Sequence, residues 1–138
     1  MARWLIKSEP ESYSWDDLVR DRRTEWDGVR NNAARLHLRA MTVGDEIFFY
    51  RSVIEPAIVG IARVSRGPAP DPKDPAWVAV EVAPVRALSA PVSLKAIKAE
   101  PALAAMELLR QSRLSVAPVR DDEWARVLAM SKSVNADP

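Results

Sequence analysis

The spacing of hydrophobic and polar positions changes along the chain, and each change marks an element. Residues 3–8 (RWLIKS) read as a short strand that Pro10 ends. Ser14 is placed as a helix N-cap, with Asp17 three residues on and Trp15, Leu18 and Val19 as the apolar face. The stretch 20–25 is all charge and threonine and reads as a solvated loop. Asn31 or Asn32 caps a second helix, in which Ala34, Leu38 and Met41 fall on one face at helical spacing. Arg35 and Arg39 share another face, and Gly44 closes the helix.

Strand patterns follow. Residues 46–52 (EIFFYRS) and 57–65 (AIVGIARVS) form a hairpin candidate. The segment 67–76 holds four prolines and reads as a loop, and 77–88 is a third long strand with Pro84 at an edge or bulge. Residues 93–98 and 101–109 are short helices, with Pro101 suited to a first turn. Residues 113–119 (RLSVAPV) are a strand. Asp121 or Asp122 caps a last helix with Trp124, Val127 and Leu128 inward. This order predicts an α+β fold: a small, mostly antiparallel sheet, curled into a barrel and decorated by short helices. One domain is expected over 1–131, with a frayed tail over 132–138.

Composition narrows the chemistry. The chain has 138 residues and no cysteine, which excludes a disulfide scaffold, a cysteine nucleophile and a Cys-ligated zinc. A single histidine, His37, excludes a His-rich metal site, and without a second ligand beside it His37 reads as structural. The four glycines form neither a dinucleotide-binding fingerprint nor a P-loop. The net charge of +1 gives no global field for nucleic acid, so any such role must rest on local charge. No apolar run is long enough to span a membrane, and the N-terminus does not resemble a signal peptide, so a cytoplasmic location is expected.

Four clusters combine polar and aromatic residues beyond what packing needs. Lys7, Ser8, Glu9 and Pro10 lie at the first strand's end, where a plain strand-to-loop turn is the simplest explanation. Trp26, Asp27, Gly28, Val29, Arg30 and Asn31 bring a stacking surface and a base-edge partner to a helix start; a core tryptophan beside a solvated arginine face explains the same pattern. No acid lies between Gly28 and Gly44, so Arg30, Arg35 and Arg39 form the one marked basic patch. In 48–52, Phe48, Tyr50 and Ser52 share one face and Phe49 takes the other; Tyr50 and Ser52 can line a pocket. Arg113 and Ser115 share a face opposite Leu114 and Val116.

Taken in order, these pieces resemble the EVE domain family, a branch of the PUA-like folds related to YTH and ASCH domains. The matching segments are WLIKSEP (4–10), WDGVRN (26–31) with Ala34 and Arg35, VGDEIFFY (43–50) with Ser52, IVGIARV (58–64), PVSL (91–94), RLSVAPV (113–119), and Glu123 with Trp124. They cover nearly the whole chain. The resemblance implies a PUA-like barrel with a pocket between the first strand's end, the Trp26 loop and the strands bearing Tyr50 and Arg113. It implies a non-enzymatic module that takes a flipped, modified base, of the methylated-cytosine type, from DNA or RNA. The implied base pocket is Lys7, Ser8, Trp26, Asp27, Val29, Asn31, Tyr50, Ser52, Arg113 and Ser115, with phosphates on Arg30, Arg35 and Arg39. No cofactor, no metal, no membrane and a monomeric state are expected. Two alternatives stand beside it: an ASCH-like amidohydrolase using Lys7 and Glu9 on a modified nucleoside, and a protein-interaction module with a vestigial pocket.

Two departures from the family pattern bear on the ligand. Arg51 stands where the family commonly has histidine, removing one hydrogen-bonding partner and adding a charge. The family's longer loop carries Tyr-Pro-Asp, whereas this chain reads Ala69-Pro70-Asp71, so an aromatic wall is missing and Trp77 is the nearest substitute.

Overall fold

A computed structural model describes residues 1–136. Its elements run β1 (Arg3–Ser8), α1 (Trp15–Asp21), β2 (Thr24–Trp26), α2 (Asn32–Ala40), β3 (Glu46–Arg51), β4 (Ala57–Pro70) and β5 (Val78–Ser93). Then come α3 (Leu94–Ala99), a 3-10 turn (Pro101–Leu103), α4 (Glu107–Arg110), β6 (Val116–Pro118) and α5 (Asp121–Ala136). The six strands form one sheet in the order β2-β5-β4-β3-β1-β6, antiparallel except for the parallel pair β1/β3. The sheet curls into a half-barrel with β2 and β6 as its edges.

The period-two pattern explains why this sheet has a core on each face. Along β1, Trp4 and Ile6 join one cluster and Leu5 the other. Along β3, Ile47 and Phe49 face the first cluster, and Phe48 and Tyr50 face the second. Helix α2 covers the first with Ala34 and Leu38, and Met41 just beyond its end joins them. Helix α5 covers the second, where Trp124 stacks on Phe48 with ring centroids 3.7 Å apart. Burying aromatics on both faces contributes more than either face alone, at roughly 25 cal/mol per Å² of apolar surface.

Local capping sets the helix starts. Ser14 and Asp17 form a reciprocal capping box for α1. The Asn31 side chain accepts from the Ala34 N–H at 3.0 Å and starts α2.

Four segments differ from the sequence reading. Thr24–Trp26 is a strand, where the charge run suggested a loop. As an edge strand it is only half-buried, and it is fixed by pairing with β5 and by a Glu25–Arg66 ion pair, so it needs no apolar alternation. Strand β4 continues through Pro68 to Pro70, where a loop was expected. Pairing with β3 stops at the Glu46–Arg63 register, so the end of β4 has only β5 beside it and tolerates proline. Strand β5 passes Leu88 to reach Ser93, with Pro84 at a register shift as expected. The helix α5 also runs past the expected tail boundary to Ala136; Ser131, just before that boundary, is buried and hydrogen-bonded to both backbone groups of Ala90. Residues 137 and 138 of that expected tail lie outside the described residues.

Gly60 on β4 lies directly under the Trp15 indole. A Cβ built there would stand 2.6 Å from the ring carbons, so only glycine allows the approach. Gly60→Ala is expected to cost about 1–3 kcal/mol by overpacking. Chemical denaturation checks this, and an unchanged midpoint and slope would contradict the packing described.

Candidate nucleic-acid interface

The end of β1, the turn before α1, strand β2 and the β2–α2 connection line a cavity of about 570 Å³. That size falls within the range of roughly 300–1,000 Å³ common for small-ligand sites. Six of the residues that the sequence reading assigns to a base pocket line this cavity: Lys7, Ser8, Trp26, Asp27, Val29 and Ser115. Arg30, expected at phosphate, lines it too.

The aromatic wall is a corner of two rings. Trp26, half-buried at the end of β2, packs edge-on against Phe49 at 5.8 Å below. Tyr13 stands beside it with centroids 6.2 Å apart and planes at 77°. The Tyr13 hydroxyl donates to Asp21 Oδ2 at 2.9 Å, and burial pushes its pKa up. The Ser8 hydroxyl donates to the Tyr13 carbonyl and ties this corner to β1. Tyr13 was not singled out from the sequence. It occupies the position before the Ser14 N-cap, where an apolar residue commonly staples the helix start, so a packing role hid it.

A buried carboxylate organises the loop that follows Trp26. Asp71 is 2% exposed, although it follows a run of prolines that suggested a solvated loop. Its Oδ2 accepts from the Gly28 N–H and from Arg30 Nη1, both at 2.9 Å, and its Oδ1 accepts from the Lys73 N–H at 2.7 Å. Desolvation pushes the Asp71 pKa up, but the Arg30 guanidinium and the two backbone donors outweigh it and hold the value at about 2. Gly28 has φ +76°, a left-handed conformation that turns its N–H toward this carboxylate. The same arginine lies 5.6 Å over the Trp77 ring. Trp77 therefore supports Arg30 and Arg35 rather than lining the cavity. Ala69 lies within β4, paired with Ala79, and does not line the cavity either.

Charge within the cavity is largely paired. Glu25 binds Arg66, and Asp27 meets Lys73 at 3.4 Å. Hydroxyls of Ser12, Thr24 and Ser115 add neutral donors and acceptors.

The remaining sequence candidates lie elsewhere. Tyr50 faces the second core, and with Ser52 it lines a separate cavity of about 540 Å³ on the other side of β1. Alternation along β3 requires this, because Phe49 takes the face toward Trp26. Lys7 borders both cavities, but its ammonium donates to the Ser112 carbonyl at 2.7 Å on the Tyr50 side; burial lowers its pKa. Glu9, paired with Lys7 in the amidohydrolase alternative, is exposed in the turn after β1 and does not line the cavity. Asn31 spends its carbonyl oxygen on the α2 cap and shares a neighbouring groove with Arg113. Arg35 donates to the Ala76 carbonyl and lies 4.9 Å over Trp77, whereas Arg39 is exposed. His37 packs against Trp4 at 5.9 Å, and burial lowers its pKa. Among the described residues no cluster of His, Asp or Glu has the makings of a metal site.

The clasp makes a pH-dependent prediction. Asp71 is held below its ordinary value of 3.8, so its contribution to stability is complete above about pH 4 and is lost as pH falls through about 2. Asp71→Asn replaces the charged acceptor of these part-buried bonds with a neutral amide and is expected to cost about 1–3 kcal/mol near neutral pH. The gap between wild type and variant should close on acidification toward pH 2. Hydrogen exchange at the Gly28 and Lys73 amides should accelerate in the variant. Unchanged exchange at both would contradict the clasp.

Comparison with known proteins places this geometry. The chain is 34% identical over 166 residues to mouse thymocyte nuclear protein 1, covering 94% of this chain and 74% of that protein. An NMR structure of a protein from Rhodopseudomonas palustris superposes with a TM-score of 0.92 at 45% identity, covering 97% of this chain and 95% of that one. The crystal structure of human THYN1 in complex with 5-methylcytosine-containing DNA superposes with a TM-score of 0.90 at 32% identity, covering 96% and 98%. No helix among the described residues is long and apolar enough to cross a membrane. The EVE domain family model matches residues 2–130, and the chain belongs to that family.

Proposed function

We propose that this protein is a non-enzymatic reader of a modified, methylcytosine-type base, which it takes out of a nucleic-acid strand into the cavity beside Trp26. The observation that carries the reading is the aromatic corner of Trp26 and Tyr13. It occurs in a chain whose relative, human THYN1, has been solved with 5-methylcytosine-containing DNA.

The corner suits a flat ligand with one substituent to recognise. A base stacked on one ring gains about 1–3 kcal/mol, and every base gains it. The second ring, at 77° to the first, flanks the stacked base and offers an apolar surface to an added methyl. Burying that methyl is worth about 0.8 kcal/mol, roughly fourfold in affinity. Asp27 supplies an acceptor suited to the exocyclic amino group of cytosine, and Ser8 and Ser115 supply further polar contacts. Tyr13 thus takes the part of the wall that Ala69 lacks. The protein is proposed to act as a monomer and in the cytoplasm; cell fractionation checks the second point, since mammalian relatives bear the name thymocyte nuclear protein.

Titration of short oligonucleotides carrying one 5-methylcytosine or one cytosine tests the reading. Wild type should prefer the methylated form about fourfold or more. Tyr13→Ala should bring that ratio close to one while retaining part of the affinity. Trp26→Ala should weaken both forms about ten- to a hundredfold. Because Trp26 also packs on Phe49, Trp26→Phe serves as the variant that keeps the core filled. Equal affinity of wild type for both oligonucleotides, or a folded Trp26→Ala protein that binds as wild type does, would overturn the proposal.

A further inference from the structure

We propose that Arg51, Lys95 and Lys98 form a phosphate-binding tract for the strand flanking the base cavity, an inference that rests on the base-reading proposal. The basic patch expected on α2 is largely engaged within the protein. Arg30 is held by Asp71, and Arg35 is held over Trp77 with its Nε buried. Of the other cations lining the cavity, Lys73 pairs with Asp27, and Lys7 turns its ammonium to the Ser112 carbonyl on the other side of β1. Arg39 is left exposed, and a strand whose base enters this cavity needs further phosphate partners beside it.

Such partners lie one strand away. Ser8 lines the base cavity, and its register partner on β3 is Arg51. The Ser52 N–H donates to the Ser8 carbonyl at 2.9 Å, fixing the two strand ends together. Neighbouring strands stand about 4.8 Å apart, so Arg51 is rooted next to the cavity rim. Its Nε and Nη2 donate to the Glu55 carbonyl at 3.1 and 2.9 Å, which braces the β3–β4 turn and leaves its charge uncompensated. From Arg51 a surface groove of about 690 Å³ runs to α3, where Lys95 and Lys98 stand on one helix face at i and i+3. Neither lysine has an ion pair among the described residues. Among the described residues, Glu55 is the only carboxylate that lines the groove. Its floor is apolar, from Pro56, Pro91 and Leu94. Cations along an apolar floor match a strand whose phosphates alternate with sugar faces. A cavity of about 430 Å³ lined by Ser8, Tyr13, Arg51 and Pro91 lies between the base cavity and this groove, and that continuity favours a nucleic-acid strand over an acidic peptide, which has no need of the junction.

The experiment uses single-stranded DNA of three and twelve nucleotides, each with one central 5-methylcytosine, and a twelve-mer with plain cytosine in its place. Affinity is read by fluorescence anisotropy across a salt series. For wild type the methylated twelve-mer should bind at least tenfold more tightly than the three-mer. In Lys95→Glu/Lys98→Glu the slope of log affinity against log salt should shrink by about 1.4, two contacts at about 0.7 each. The length advantage should largely vanish, and the methylated-to-plain ratio should stay as in wild type. Circular dichroism confirms that the variant is folded. Arg63→Glu, about 20 Å along β4 from the groove, should change neither quantity. A double variant that keeps the wild-type slope and length advantage overturns the tract, as does an equal loss per charge at Arg63→Glu. If slope and length advantage fall as described while wild type binds methylated and plain twelve-mers alike, the tract stands and the base reading fails. If wild type binds no oligonucleotide, both fall. Retention of an acidic peptide with no dependence on oligonucleotide length assigns the groove to a protein partner and overturns the tract.

Discussion

The Asp71 carboxylate joins two parts of the chain about forty residues apart, and the site depends on it. The segment 27–31, between Trp26 at the end of β2 and helix α2, has no regular structure of its own. Left free, it would let the wall that Asp27, Gly28 and Val29 give the cavity sample many positions, and each ordered residue costs roughly 1–2 kcal/mol in entropy. Asp71 offsets that cost with one anion that satisfies two backbone amides and a guanidinium. The carboxylate stays ionised when buried because those three donors replace its water. Gly28 makes the arrangement possible, since its left-handed backbone turns the amide inward.

The sheet supplies the rest by geometry. Because its two faces carry separate cores, the C-terminal end of β1 separates two cavities, one facing Trp26 and the other facing Tyr50. Period-two alternation assigns each side chain to one of them. Phe49 supports Trp26 and Trp15, whereas Phe48 stacks on Trp124 of α5. The aromatic corner is therefore rooted in a rigid core, which suits a site that must meet a ligand in one orientation.

Much of this was legible in the sequence. The apolar spacing of Ala34 and Leu38, the cap at Ser14 and the alternation through Phe48, Phe49 and Tyr50 gave the helices, the hairpin and the two-sided core. The Trp26 loop and the end of β1 were found because their residue types exceed what packing needs. What escaped was set by contacts distant in sequence. Thr24–Trp26 forms a strand only because β5 lies beside it. Asp71 looked solvated because nothing nearby shows that Gly28 and Arg30 fold onto it. Tyr13 reads as a helix-start residue, and alternation alone does not say whether the face of β3 with Tyr50 or the one with Phe49 lies toward the Trp26 cavity. Arg35 and Arg39 looked equally free, since the Trp77 ring that covers Arg35 comes from a segment about forty residues on.

The most direct test of the account is a map of where the ligand touches. Backbone and indole resonances are followed by nitrogen-15 NMR while a short oligonucleotide with one 5-methylcytosine is added. The account predicts that the Trp26 indole and the amides of Ser8, Tyr13, Gly28 and Ser115 shift, while the Trp124 indole and the amides of Leu108 and Leu109 beside the Tyr50 cavity stay in place. Shifts centred on the Tyr50 cavity, with the Trp26 indole unmoved, would contradict it.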